Sequence, residues 1–136
     1  MNHSLRSECP IAASLDVLGD RWTLVILRDL LMSDRSHFGE FAEAESVATN
    51  ILASRLAALV DAGLIERLPD PEDGRKAIYR ALPPAIELLP VLAELASWGL
   101  RHTPVPSNPD MGLIANPETR PAFVEQRTRE LLQGIS

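Results

Sequence analysis

Residues 48–82, "ATNILASRLAALVDAGLIERLPDPEDGRKAIYRAL", change hydrophobic period once along their length. Leu52, Leu56, Leu59 and Val60 fall on one face of a helical wheel, and Asn50, Ala53, Ser54, Ala57 and Asp61 lie opposite. Gly63 occupies the place just past the helix end, and Leu64 supplies the apolar residue of a Schellman-type stop. "LIERL" and "AIYRAL" then alternate apolar and polar, the period of a half-buried strand. Between them "PDPEDGRK" reads as a loop, with a turn at its tip marked by Asp73 and Gly74. The whole stretch is a helix followed by two antiparallel strands, and it organises the rest of the chain.

Upstream, "CPIAASLDVLG" (9–19) predicts a short helix, with Pro10 in its first turn, Gly19 past its end, and Ile11, Leu15 and Leu18 on one face. "GDRWTLVILRDLLM" predicts a central helix N-capped by Asp20. Its Leu24, Val25, Ile26, Leu27, Leu30 and Leu31 cover most of the circumference, as in a helix packed on several sides. "HFGEFAEA", His37 to Ala44, predicts a third short helix with Phe38 and Phe41 inward. Downstream, "AIELLPVLAELASWGL" carries apolar residues at helical spacing, with Pro90 either in the first turn or at a kink. Residues 103–112 read as an irregular Pro-rich segment, and a last helix follows with Phe123, Val124, Arg127 and Leu131 along one side. The expected fold class is mainly α with a small antiparallel β-hairpin, and the order helix, helix, helix, strand, wing, strand is its most specific part.

Apolar residues make up 46% of the 136, and aromatics only 4%, so the core is mostly aliphatic and suits helices. No apolar run approaches the roughly 18 residues of a membrane span. The first residues lack the apolar region of a signal peptide, so a membrane partner is not expected and the cytoplasm is. A single cysteine, Cys9, excludes an intrachain disulfide framework and a multi-cysteine metal site. His3, His37 and His102 lack metal-ligand spacing, and Ser14, Ser36, Ser54 and Ser97 lack a nucleophile-elbow context. There is no Gly-rich phosphate loop. No enzyme, metal or cofactor is expected.

The helix beginning near Ala48 has one face to bury and a small face to present. Small side chains let a helix enter the major groove of B-DNA, about 12 Å wide, where it is read chiefly from its N-terminal residues. Thr49, Asn50 and Ser54 are the candidate base and phosphate contacts, Asn50 by pairing with an adenine edge. Arg75 and Lys76 at the hairpin tip can reach adjacent phosphates or the minor groove. Arg35, Ser36 and His37, at the start of the helix-turn-helix, can contribute main-chain phosphate contacts. Arg55 lies at the apolar edge, placed either for phosphate or for an internal carboxylate such as Glu40 or Glu43. The net charge of −6, and six Arg/Lys against eight Asp/Glu in residues 35–80, predict modest non-specific affinity and a shallow salt dependence.

"CPIAASLDVLGDRWTLVILRDLL", "HFGEF" and "NILASRLAALVDAGLIER" together resemble the HxlR family of bacterial winged helix-turn-helix transcriptional regulators, from about Cys9 to Gly99. The chain departs from the family pattern after the second strand, where "ALPPAIE" replaces a Leu-Thr-Pro-x-Gly-type turn, and at Ala48-Thr49, where Ser-Pro is frequent.

The resemblance implies a homodimer that binds a palindromic operator in double-stranded DNA as a repressor. Residues 9–99 would form the DNA-binding and dimerisation domain. The first and last family helices would meet across the dimer through Ile11, Leu15, Leu88, Leu92, Leu95 and Trp98. Residues 100–136 would form a C-terminal extension that adds a dimer contact or lines a cavity. Some relatives sense oxidants through an N-terminal cysteine, which makes Cys9 a possible redox sensor, with Arg6 close by in sequence. An oxidant or small-molecule effector is therefore a possible partner. A winged-helix protein–protein interaction module with little DNA binding is the alternative that the acidic balance keeps open.

Overall fold

The computed structural model describes residues 7–41 and 43–134. Arg6, expected near Cys9, and His3 lie outside the described residues. The chain divides into two compact units, Met1–Leu82 and Pro83–Ser136.

The first unit opens with helix α1, Pro10–Leu18, and helix α2, Arg21–Met32. Asp20 caps α2: its Oδ1 accepts the N–H groups of Trp22 at 2.8 Å and Thr23 at 3.2 Å. Ile26, Leu27, Leu30 and Leu31 of α2 are buried, as are Leu52, Leu56 and Leu59 of helix α3, Thr49–Asp61. The α2–α3 packing makes the core of this unit, with Phe41, Leu64, Ile65, Tyr79 and Ala81 also buried. Val60, expected on the apolar face of α3, is 38% exposed instead. It sits one residue beyond Leu59, a 100° step that turns it off the face packed on α2.

The end of α3 follows the expected stop. Gly63 takes φ +78°, its N–H donates to the Val60 carbonyl at 3.0 Å, and the Leu64 N–H donates to the Leu59 carbonyl at 3.1 Å. That reversal launches strand β1, Ile65–Pro69, which pairs antiparallel with β2, Ala77–Ala81. The register sets Ile65 against Ala81, Arg67 against Tyr79 and Pro69 against Ala77.

His37–Ala44 is not a single helix, contrary to expectation. It forms two 3-10 turns, Phe38–Glu40 and Glu43–Glu45, with Phe41 buried and Phe38 half-buried. The reason lies at its start. His37 has extended backbone and bridges Ile78 of β2, and the Tyr79 N–H donates to the Ser36 carbonyl at 2.8 Å. Residues 36–37 therefore act as a minimal third strand. The Glu40 side chain also takes up the N–H groups of Ser36 and His37, as in a capping box, but the turn it starts stops after one 3-10 turn because Phe41 is extended.

The second unit contains α4, Pro83–Ile86, α5, Leu89–His102, α6, Pro109–Ala115, and α7, Arg120–Gln133. Pro90 lies in the first turn of α5, where its missing N–H has no helical acceptor to lose. Of the stretch expected to be irregular, 103–112, the last residues are helical. Asn108 caps α6 by accepting the Met111 N–H at 2.9 Å, and Pro109 follows in the first position. Arg120 ties this unit together: it donates to the carbonyls of Ile114 at 2.8 Å and Ala115 at 2.9 Å, to Ser97 Oγ at 3.2 Å, and pairs with Glu94.

Candidate nucleic-acid interface

The face of α3 turned away from the core presents Thr49, Asn50, Ala53, Ser54, Ala57 and Ala58, all exposed. The buried row Leu52–Leu56–Leu59 fixes which side this is, because Asn50, Ala53, Ser54, Ala57 and Ala58 lie away from it around the helix, and Thr49 is exposed in the first turn. The N-cap residue, Ala48, has no side-chain acceptor, so the first-turn N–H groups are available to an external oxygen. Thr49, Asn50 and Ser54 therefore sit together on one accessible surface at the N-terminal half of the helix.

Two salt networks hold α3 in place. Arg55 pairs with Asp20, Nε to Oδ2 at 3.0 Å, rather than with Glu40 or Glu43. Asp20 thus caps α2 with one oxygen and holds α3 with the other, and the Arg55 guanidinium together with those N–H groups keeps its carboxyl below the usual range. Arg28 of α2 donates to Asp29 Oδ1 at 2.8 Å and to Glu45 Oε1 at 2.7 Å. Glu45 stands just before Ser46, whose φ of +53° turns the chain into α3. The Arg28 side chain holds the Glu45 carboxyl low.

The start of the helix-turn-helix is differently disposed from its reading as a main-chain phosphate contact. The Ser36 and His37 N–H groups donate to Glu40 Oε1 at 3.1 and 2.9 Å, so a carboxylate of the chain itself occupies the place a phosphate oxygen would take. Arg35 donates to the Glu40 carbonyl at 2.8 Å and lies 3.8 Å from Glu43. The His37 ring lies between two carboxylates, Nε2 at 2.8 Å from Asp70 and Nδ1 at 3.2 Å from Glu40. Asp70 and then Glu40 raise the His37 pKa, since both stabilise the imidazolium.

Asp70 also organises the wing. Its Oδ1 accepts the Glu72 N–H at 2.9 Å, its own N–H donates to the Lys76 carbonyl at 3.0 Å, and its carbonyl accepts the Asp73 N–H at 3.2 Å. At the tip, Arg75 folds back on Asp73, Nε to Oδ1 at 3.1 Å, and this side-chain contact lowers the Asp73 pKa. Lys76 is exposed. The sequence alone did not disclose the roles of Asp20, Glu40 and Asp70 as internal acceptors. Only the N-cap position of Asp20 carried a legible signal.

The expected dimer residues divide into two groups. Ile11 and Leu15 are 73% and 57% exposed on α1, and Leu95 and Trp98 are 48% and 55% exposed on α5. Leu92 is buried and Leu88 half-buried. Cys9 is exposed at the N-cap of α1, and its N–H donates to Ser7 Oγ at 3.0 Å. Among the described residues no cluster of three His, Cys, Asp or Glu could hold a metal ion, and no helix is long and apolar enough to cross a membrane.

Comparison with known proteins agrees with this architecture. Residues 17–106 match the HxlR-like helix-turn-helix family. The uncharacterized HTH-type transcriptional regulator Rv3095 of Mycobacterium tuberculosis is 32% identical over 113 residues, which cover 83% of this chain and 70% of the relative. The crystal structure of PA1607, described as a candidate transcription factor, superposes with a TM-score of 0.67 at 36% identity, covering 76% of this chain and 72% of that one. The reduced form of the transcriptional regulator YodB from B. subtilis superposes with a TM-score of 0.56 at 26% identity, covering 74% of this chain and 100% of that one. These relatives are transcription regulators, not enzymes. The chain belongs to the HxlR-like helix-turn-helix family, and it is a transcriptional regulator with a helix-turn-helix DNA-binding domain.

Proposed function

We propose that the protein is a repressor that acts as a homodimer on a palindromic operator. Each subunit inserts the N-terminal half of α3 into one of two successive major grooves, about one helical turn apart. The observation that carries this reading is the exposed row Thr49, Asn50 and Ser54 on a helix whose opposite face is locked into the core. Asn50 reads a base edge, Thr49 and Ser54 bond bases or phosphate, and Lys76 steadies the wing on the backbone, joined by Arg75 once it leaves Asp73. Arg35 and Arg55, both already engaged within the chain, contribute charge near the interface rather than a free side chain. Ser36 and His37 position the wing, their N–H groups being held by Glu40.

The dimer forms through exposed apolar residues of α1 and α5. Ile11, Leu15, Leu95 and Trp98 support this, because such side chains are unfavourable in water. Leu88 and Leu92 back the α5 surface from within. The extension beyond residue 100 contributes α6 and α7, which pack on α5 and support it in that role. A protein working on DNA in this way resides in the cytoplasm of a bacterial cell.

A duplex enriched from a random-sequence pool by the purified protein tests the reading. The expected product is a two-fold repeated half-site, bound by two subunits and lost in N50A. Enrichment of no duplex, or of one bound by a single subunit, removes the proposal.

A second reading is favoured by the exposure of Cys9 at a helix N-terminus. One neighbour in fold, YodB, is described in reduced and in diamide-treated forms. Oxidation of Cys9 then releases the operator: diamide takes two thiol hydrogens to join Cys9 to Cys9 of a second subunit or to a small thiol, and peroxide converts the thiolate to a sulfenic acid with release of water or hydroxide. A C9S protein that still releases under diamide rules this out.

A further inference from the structure

The helix-turn-helix and wing contain six Arg/Lys between residues 35 and 80, and four are already committed. Arg35 is held by the Glu40 carbonyl and Glu43, Arg55 by Asp20, Arg75 by Asp73, and Arg80 by Glu66. Lys76 at the wing tip and Arg67 in the middle of β1 have no hydrogen-bond or ion-pair partner through their side chains among the described residues. Arg67 is exposed although it faces the same side of the hairpin as buried Tyr79, its register partner. It lines a groove of about 420 Å³ whose other walls are Ala53, Ala57, Val60 and Asp61 of α3 and the rings of Phe38 and Tyr79.

We infer that this groove seats one sugar–phosphate strand of duplex DNA and that Arg67 is the side chain that binds its phosphate. The inference rests on the reading of α3 as the major-groove helix. A helix in the major groove and a wing at the neighbouring minor groove have one backbone strand running between them. The groove bounded by α3 on one side and the hairpin on the other is where that strand must pass. Its surface suits the occupant: small Ala53 and Ala57 allow close approach, and the apolar wall meets deoxyribose C–H groups. Arg67 offers a planar fork of N–H donors that matches two phosphate oxygens. An uncommitted guanidinium needs no internal ion pair broken before it binds, unlike Arg55 or Arg75. Asp61, on the rim in the last turn of α3, opposes the same strand and weakens its binding.

The test uses the full-length protein and the duplex that the wild type enriches from a random pool, beside a scrambled duplex of equal length. Affinities are measured over a salt series, with thermal melts to define the folded fraction. R67Q is expected to weaken both duplexes alike and to lower the salt slope by about one per subunit, because one phosphate contact is lost on each. R67K is expected to keep the slope, and D61N to tighten both duplexes several-fold. N50A is the control that weakens only the enriched duplex. A purely structural role for Arg67 changes the melt and leaves the slope of the folded protein untouched. Wild-type slope and affinity in R67Q, with N50A still impaired, overturns the assignment of Arg67 alone. Unchanged binding in D61N overturns the placement of the strand in this groove. If the wild type enriches no duplex, the reading of α3 fails and this inference with it.

Discussion

His37 and Asp70, 33 positions apart in the chain, meet through Nε2 and Oδ2 at 2.8 Å and so fasten the start of the helix-turn-helix to the base of the wing. Glu40 holds the other ring nitrogen at 3.2 Å. With a carboxylate at each nitrogen, the imidazole is a donor on both sides only when protonated. The wing is therefore held by an ionisable clamp.

The clamp gives stability a defined pH dependence. The folded-state pKa of His37 is raised, so its contribution is fully present below the ordinary histidine value near 6.5 and is lost as pH rises through the raised value. Asp70 and Glu40 have lowered values, chiefly through the N–H groups of Glu72 and His37 respectively, so their contribution is lost as pH falls through those values. The melting-temperature difference between wild type and H37Q is expected to be largest from about pH 5 to about pH 6.5 and to shrink above that. A difference that stays constant from about pH 5 to about pH 9 contradicts the clamp.

Two glycines should respond oppositely to alanine. Gly63 adopts φ +78°, where a Cβ strains the backbone, and G63A is expected to cost about 1 kcal/mol in denaturant unfolding. Gly74 at the wing tip has no positive φ and nothing within 4 Å of an added Cβ, so G74A is expected to be neutral within about 0.5 kcal/mol. Equal losses in both would mean that the Schellman stop does not shape the α3–β1 reversal.

Leu56 and Val60 lie on the same helix, one turn apart, with different fates. Leu56 is 1% exposed between α2 and α3, and L56A should cost roughly 2–5 kcal/mol. Val60 is 38% exposed, and V60A should cost under about 1 kcal/mol. Urea titrations of the two variants decide it. A V60A loss as large as that of L56A would place Val60 in the core after all.

Asp20 has two separable duties. D20N keeps a capping oxygen for the Trp22 and Thr23 N–H groups but loses the charge that holds Arg55, and should cost under about 1 kcal/mol because both side chains are about one-third exposed. D20A loses both duties and should cost about 1–2 kcal/mol. In an R55M background the D20N cost should nearly vanish. A full D20N cost there would show that the charge acts on something other than Arg55.

The element order was largely legible because it depends on local signals. The period of 3.6 in α2 and α3, the Asp20 cap and the Gly63 stop each act within a few residues, and all reappear in the structure. The exposure of Asn50 and Ser54 was equally legible, because the wheel that buries Leu52, Leu56 and Leu59 sets them opposite, whereas Thr49 shares the buried side of the wheel and is exposed because it begins the helix. Val60 and the start of α6 at Pro109 were misjudged from local pattern, whereas the misreading of His37–Ala44 concerned residues whose partners are distant. His37–Ala44 looked helical because nothing local announces that Ser36 and His37 pair with Ile78 and Tyr79.

What the sequence by itself determined was the set of helices, the hairpin and the side of α3 that faces out, since hydrophobic periodicity and capping are properties of neighbours along the chain. Only the tertiary structure decided which charges remain free. Arg55, Arg75 and Arg35 appear in the sequence as cations on equal terms with Arg67. Which of them a carboxylate or carbonyl reaches depends on helix packing and strand register, because ion pairing falls off over a few ångströms and the chain positions alone do not set those distances.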